Sequence, residues 1–145
     1  MQQRQIELVR GSWDQVLPIK TQAASLFYDR LFKLDPSVRK LFKKDLERQG
    51  TLLMAMITYV VNNLDTLEQA VPNIERLGVK HAGYGVTDAD YDTVARALLW
   101  TLEQGLGDAF TPEVREAWTV AYGLMATTMK TAASSARDEV EEPAA

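Results

Sequence analysis

The chain has 145 residues, a net charge of −4 and no cysteine, a length that suits one domain with a core large enough to need no disulfide staples. The acidic balance argues against non-specific nucleic-acid binding, which depends on clustered Lys and Arg, and no run reaches the roughly 18 apolar residues of a membrane span. Met1-Gln2-Gln3-Arg4-Gln5 lacks the apolar core of a signal peptide, so the expectation is a cytoplasmic globular protein with no nucleic-acid or membrane partner.

Helical periodicity recurs along nearly the whole chain, and strand alternation does not. Ile6, Val9, Trp13 and Val16 fall at steps of three and four and define a first amphipathic helix, interrupted or ended by Pro18. Ala24, Phe27, Tyr28, Leu31 and Phe32 mark a second. Asp35-Pro36 reads as a cap followed by a first-turn proline, opening a short turn through Val38, Leu41 and Phe42. Gln49, Leu53, Ile57, Val60 and Leu64 form the stripe of a long helix. The next begins between Asp65 and Pro72, carries Ile74, Leu77 and His81, and meets stop signals at Gly83 and Gly85. Thr87 with Asp90 predicts a capping box for a helix through Tyr91, Val94, Leu98 and Leu102, closed by Gly105 and Gly107. Thr111-Pro112-Glu113 opens a last helix with Val114, Trp118, Tyr122, Met125 and Met129 on its apolar face. Residues 1–133 then form one all-α domain of six to eight helices, and the acidic segment 134–145, poor in apolar residues, is expected to fray.

His81 is the only histidine. A structural zinc site wants four Cys or His ligands and a catalytic one wants three protein ligands, so this inventory excludes most bare-metal chemistry. One imidazole suffices where a cofactor brings the remaining donors, as haem does with its four pyrrole nitrogens. Three polar residues sit on apolar faces: His81 with Ile74 and Leu77, Tyr28 with Ala24, Leu31 and Phe32, and Gln49 ahead of Leu53 and Ile57. Each has an ordinary explanation. A lone inward histidine is most often a satisfied core residue, an inward tyrosine usually keeps its hydroxyl at a rim or on backbone, and Gln49 at a helix start can simply be solvated.

The order of residues carries more than their periodicity. Phe27-Tyr28-Asp29-Arg30-Leu31-Phe32, Asp35-Pro36, Val38-Arg39, Leu41-Phe42, Gln49, Leu53, Leu77-Gly78, Lys80-His81, Gly85-Val86, Tyr91 and Ala117-Trp118 with Tyr122 together resemble a bacterial single-domain haemoglobin, and the globin domains of flavohaemoglobins in particular. The resemblance runs from about Ile6 to Met129 and implies a globin fold around haem b. It implies that His81 is the proximal iron ligand, with Nδ1–H directed at an acceptor such as the Leu77 carbonyl. Phe42 matches the residue that stacks on the porphyrin, and Leu53, Leu77, Val86 and Tyr91 are the further cofactor contacts. Tyr28 and Gln49 match distal donors to a bound gas, with Leu53 over the iron. Lys80 and the cluster Arg39, Lys40, Lys43 and Lys44 are within reach of the propionates, or form a solvated basic face.

The implied function is reversible binding of oxygen, and of nitric oxide or carbon monoxide, for oxygen storage or delivery or for nitric oxide detoxification. Nitric oxide dioxygenation would need a separate reductase. One departure from the family pattern matters. Flavohaemoglobin-like globins pair the tyrosine matched by Tyr91 with a glutamate, whose position falls near Ala133 here. Without that carboxylate His81 is expected to be a less activated proximal ligand. The alternatives are a cofactor-free all-α interaction module and a gas sensor acting through a partner; pigment attachment through cysteine is impossible.

Overall fold

The computed structural model describes residues 1–42 and 45–141. They form six α-helices and no strand: α1 (Gln3–Val16), α2 (Lys20–Leu34), α3 (Leu46–Asn62), α4 (Leu67–Gly83), α5 (Asp88–Leu106) and α6 (Pro112–Glu141). Short 3-10 turns occupy Leu17–Ile19, Pro36–Leu41 and Gly107–Ala109. The all-α reading therefore holds, and the helix ends follow local chemistry.

Pro18 falls in the 3-10 turn that separates α1 from α2. Asp35 is extended (φ −148°), and its carboxylate accepts the Ser37 backbone N–H at 3.0 Å, so the chain winds as a tight turn after the proline. Thr87 N–H donates to the Asp90 carboxylate at 2.8 Å at the start of α5. The Val114 N–H donates to Thr111 Oγ1 at 3.2 Å at the start of α6. Beyond α4, Gly85 adopts φ +96°, and Gly107 at the end of α5 adopts φ +56°. Both lie where a Cβ would be strained. The last helix passes the expected boundary at 134 and continues to Glu141, while residues 142–145 lie outside the described ones.

α4 packs along α6, α2 along α5, and α1 bridges α6 and α3. Two glycines let backbones approach. Gly78 of α4 sits against the Met129 backbone of α6, where an added Cβ would lie 2.6 Å from the Met129 Cα. Gly50 of α3 faces α2, where a Cβ would meet that of Ala24 at 3.0 Å. A glycine inside a helix costs roughly 1 kcal/mol relative to alanine, and here it is the condition for close contact.

Trp13 and Trp118 meet edge to face, with ring centroids 5.8 Å apart. Each buried indole N–H finds an oxygen: Trp118 Nε1 donates to Ser12 Oγ at 2.8 Å, and Trp13 Nε1 donates to Thr58 Oγ1 at 3.0 Å. These bonds knit α1 to α6 and α3 without leaving a buried donor unmet. Full burial of Leu31, Ile74 and Leu102 adds roughly 1.5–3 kcal/mol per side chain.

The apolar interior divides into two clusters. The larger joins α1, α2, α3, α5 and the first half of α6, including Trp13, Tyr28, Val60, Leu102 and Trp118. The smaller holds Ala70, Ile74, Tyr91, Ala126 and Met129. α3 and α4 are not packed extensively on one another, although each borders one of the clusters.

Candidate cofactor site

His81 lies in the last turn of α4, partly buried. Its Nδ1 is 2.7 Å from the Leu77 carbonyl oxygen. A carbonyl can only accept, so Nδ1 donates, and in the neutral imidazole the lone pair then sits on Nε2. Nε2 has no hydrogen-bond partner among the described residues. The helix thus fixes the ring with its own carbonyl and leaves one nitrogen available as a ligand. Leu77 and Val86 border the smaller cluster, and the Val86 N–H donates to the His81 carbonyl at 3.1 Å, folding the chain back over the end of α4.

Tyr91, in the first turn of α5, is buried in that same cluster. Its hydroxyl is buried without a hydrogen-bond partner among the described residues. Its backbone carbonyl accepts from the Tyr122 hydroxyl at 2.6 Å, and the Lys130 ammonium stands 5.5 Å from its ring centroid. Ala133, near the position where the family pattern puts a glutamate, is itself buried. Burial raises the Tyr91 phenol above its ordinary pKa, helped by Asp88.

On the other cluster, Tyr28 is the hub of an aromatic group. Its ring centroid lies 5.2 Å from Phe27, 6.0 Å from Phe32 and 5.3 Å from Phe42. The Phe32 and Phe42 rings meet edge to face at 5.6 Å. Tyr28 is buried, and desolvation alone pushes its phenol well above the ordinary value, so it stays a neutral O–H donor. No hydrogen bond engages that hydroxyl within the described residues. Gly50 brings α3 to within 3.8 Å of the ring's Cε2, measured from a built Cβ. Gln49, the residue before it, is partly buried in the first turn of α3, and Leu53 follows one turn later, also partly buried.

Large apolar side chains left partly buried at the margins of a divided core are the feature that bears on a cofactor. Phe42, Leu53 and Ile57 fringe one cluster, and Leu77 and Val86 fringe the other. No group of three or more His, Cys, Asp or Glu side chains meets anywhere among the described residues. An apolar lining with a single free imidazole nitrogen fits a flat apolar group that carries its own metal donors, and it does not fit a bare cation.

Not every expected residue joins this arrangement. Lys80 is exposed beside His81. The Arg39 guanidinium donates to the Phe42 carbonyl at 3.3 Å and lies over the Phe32 ring at 5.2 Å, so it braces the aromatic group. Lys40 is exposed, and Lys43 and Lys44 lie outside the described residues. The bracing by Arg39 and the close approach at Gly50 were not read from the sequence. A glycine within a long apolar helix is the one signal that pointed to the latter. A surface cleft of about 220 Å³ lies elsewhere, between α2, α5 and α6.

The globin family model matches residues 25–129, spanning α2 through most of α6, and the chain belongs to the globin family. It is 31% identical to the neuroglobin of Tetraodon nigroviridis over 137 residues, which is 85% of this chain and 86% of that protein. It is 34% identical to the flavohemoprotein of Xylella fastidiosa over 128 residues, covering 86% of this chain and 32% of that one. A flavohemoprotein of Bacillus subtilis is 33% identical over 103 residues, with 69% of this chain and 26% of that protein covered. The chain therefore spans about a quarter to a third of the flavohemoproteins it matches. Among solved structures, an engineered carbene transferase, a variant of a protein described as a nitric oxide dioxygenase from Rhodothermus marinus, superposes with a TM-score of 0.87 at 25% identity over 98% of this chain and 99% of that one. Globin family proteins bind haem, and no described helix is long and apolar enough to cross a membrane.

Proposed function

We propose that this globin holds haem b between α3 and α4, with His81 Nε2 as the iron ligand, and binds oxygen reversibly. The observation that carries this reading is the 2.7 Å contact from His81 Nδ1 to the Leu77 carbonyl, which leaves the chain's only imidazole with one nitrogen to offer. When bound, ferrous haem supplies reversible binding of diatomic gases. The chain does the rest. Leu77 orients the imidazole and raises its basicity. Phe42, Leu53, Leu77, Val86 and Tyr91 provide apolar contact that keeps water from the iron. Tyr28, held neutral by burial, donates a hydrogen bond to the gas ligand, with Gln49 as a second donor. Lys80 contributes at most from the surface.

Similarity to flavohemoproteins favours a second use of the same site, nitric oxide detoxification. Bound haem would there supply the oxidation of nitric oxide by dioxygen to nitrate, with one electron per turnover drawn from a separate reductase. Carbon monoxide would bind as an inert competitor.

Adding haem to the purified chain tests the reading. A saturable, one-to-one rise of an intense blue absorption band, with a high-spin ferrous spectrum that shifts on exposure to oxygen or carbon monoxide, is the expected result. No such band at any haem concentration would leave a cofactor-free helical module as the better description. Multiple-turnover nitrate production with a reductase present would assign detoxification, whereas a single stoichiometric turnover would assign storage or delivery.

A further inference from the structure

The surface formed by α2, α5 and the start of α6 is charged in a way that the gas-binding site does not require. Arg30, Arg96 and Arg115 line one cleft of about 220 Å³ with Leu34, Leu99, Trp100 and Glu103. The protein as a whole is acidic, with 20 Asp and Glu against 16 Lys and Arg. Three guanidiniums on one cleft are therefore a local reversal of sign. Both ion pairs among the described residues lie elsewhere, Arg4 with Glu113 and Arg10 with Asp65. Glu103 borders the cleft without coming within ion-pair distance of any of the three arginines.

Arg30 is the informative member. Its Nε is buried and finds no acceptor among the described residues. Its guanidinium carbon sits 5.0 Å from the centroid of the Trp100 ring. A guanidinium cannot shed its proton to escape burial, so at Nε the charge is stripped of water, and the Trp100 π-face is the compensation found for it among the described residues. The side open to the cleft is where compensation has to come from, and Arg96 and Arg115 reinforce the same sign there. Arginine forks match the oxygens of phosphate and carboxylate groups. At about 220 Å³ the cleft is smaller than the roughly 300–1,000 Å³ of pockets for drug-sized ligands, a size that suits a compact anion.

We propose that this cleft is a binding site for a small multivalent anion, a phosphate- or polycarboxylate-bearing molecule held by Arg30, Arg96 and Arg115 with Trp100 as its floor. The site is separate from the His81 cluster and does not depend on haem. Glu103 at its edge opposes anions and so selects for ligands with enough charge to overcome one carboxylate.

Calorimetric titration of the purified full chain, at constant chloride and in a phosphate-free buffer, tests this with two probes in separate arms, diphosphate and citrate. One saturable site for either supports the proposal, and the arm that binds more tightly identifies the ligand class. The double variant Arg96→Glu/Arg115→Glu, both exposed positions that leave the core intact, should weaken binding at least ten-fold. Glu103→Gln should tighten it. Absence of saturable binding in both arms, unchanged affinity in the double variant, or weaker binding in Glu103→Gln would overturn the site. Circular dichroism of each variant, matching the parent, establishes that a loss of binding is not a loss of fold.

Discussion

The Nδ1 of His81 and the carbonyl oxygen of Leu77 lie 2.7 Å apart, one helical turn from each other on α4. Leu77 lies inside α4, where its carbonyl also stands one turn from the His81 amide, and a carbonyl oxygen has two lone pairs, so the imidazole N–H is accepted in addition to the helix's own bond. The ring is oriented by the same turn that carries it, so a ligand geometry needs no support from a distant segment. A neutral carbonyl is a weaker acceptor than a carboxylate, so it would activate the imidazole as a ligand less than a carboxylate would. If His81 ligates haem iron as proposed, this acceptor favours reversible gas binding over strong electron donation.

Replacing His81 with Ala should abolish the five-coordinate ferrous spectrum of the haem-loaded protein. Added imidazole should restore it, because the cavity left behind is close to the ligand's own shape. An unaltered spectrum in His81→Ala would remove the iron ligand from the proposal.

Tyr28→Phe keeps the ring and its contacts with Phe27, Phe32 and Phe42 and removes only the hydroxyl. A hydrogen bond to a charged partner is worth about 1.5–3 kcal/mol. Oxygen dissociation, followed by stopped-flow displacement with carbon monoxide, should accelerate about ten-fold or more. An unchanged rate would mean that the hydroxyl does not reach the ligand.

Gly78→Ala tests the closest helix contact. The new Cβ would stand 2.6 Å from the Met129 Cα, a rigid backbone atom that cannot swing aside. Overpacking costs typically 1–3 kcal/mol, more than the roughly 1 kcal/mol gained in helix propensity. Calorimetry should record a Tm lower by several degrees, and a raised Tm would show that α4 and α6 are further apart.

Tyr91→Phe should have the opposite outcome. The Tyr91 hydroxyl is buried with no partner among the described residues, so the desolvation of its O–H is uncompensated. Phenylalanine keeps the ring beneath Lys130 and removes that cost. Denaturant unfolding should give stability equal to the parent's or higher by about 1 kcal/mol. A comparable loss would reveal a partner for the hydroxyl.

Alkaline pH should unfold the protein through its buried phenols. Burial raises the pKa values of Tyr28, Tyr91 and Tyr122 in the native state, while an unfolded tyrosine titrates near about 10. Below that pH both states are protonated and stability is level. Above it the unfolded chain loses protons that the native state retains, so stability falls by up to about 1.4 kcal/mol per pH unit for each such group. Denaturation midpoints between pH 8 and about pH 12 would show this slope. Tyr28→Phe should flatten it by one group's share, and an unchanged slope would place the Tyr28 phenol in water.

The helices and their ends were legible because their causes are local. Asp35 before Pro36, Thr87 with Asp90 and Thr111 before Pro112 act within three residues, and each cap forms as expected. His81 stood out because one histidine in a cysteine-free chain leaves a cofactor as the simplest metal chemistry. The Leu77 acceptor could be named in advance since it lies one turn away. The contacts of Arg39 with the Phe42 carbonyl and the Phe32 ring were not legible in the sequence, because those partners meet only when the turn after α2 closes. α6 runs past 134 to Glu141, a stretch whose Ala, Arg and Glu have intrinsic helix preference that apolar content does not measure.

What the sequence determined by itself is the all-α class, the family pattern and the identity of the one imidazole, all properties that depend on spacing along the chain. What only the tertiary structure decided is the division of the core into two clusters, the unmet hydroxyl of Tyr91 and the convergence of Arg30, Arg96 and Arg115 on one cleft. Those features join residues from different helices, and their placement is set by which glycines let backbones meet and which indoles find oxygens across the core. Periodicity along a single helix shows which face turns inward. It carries no information about what that face encounters there.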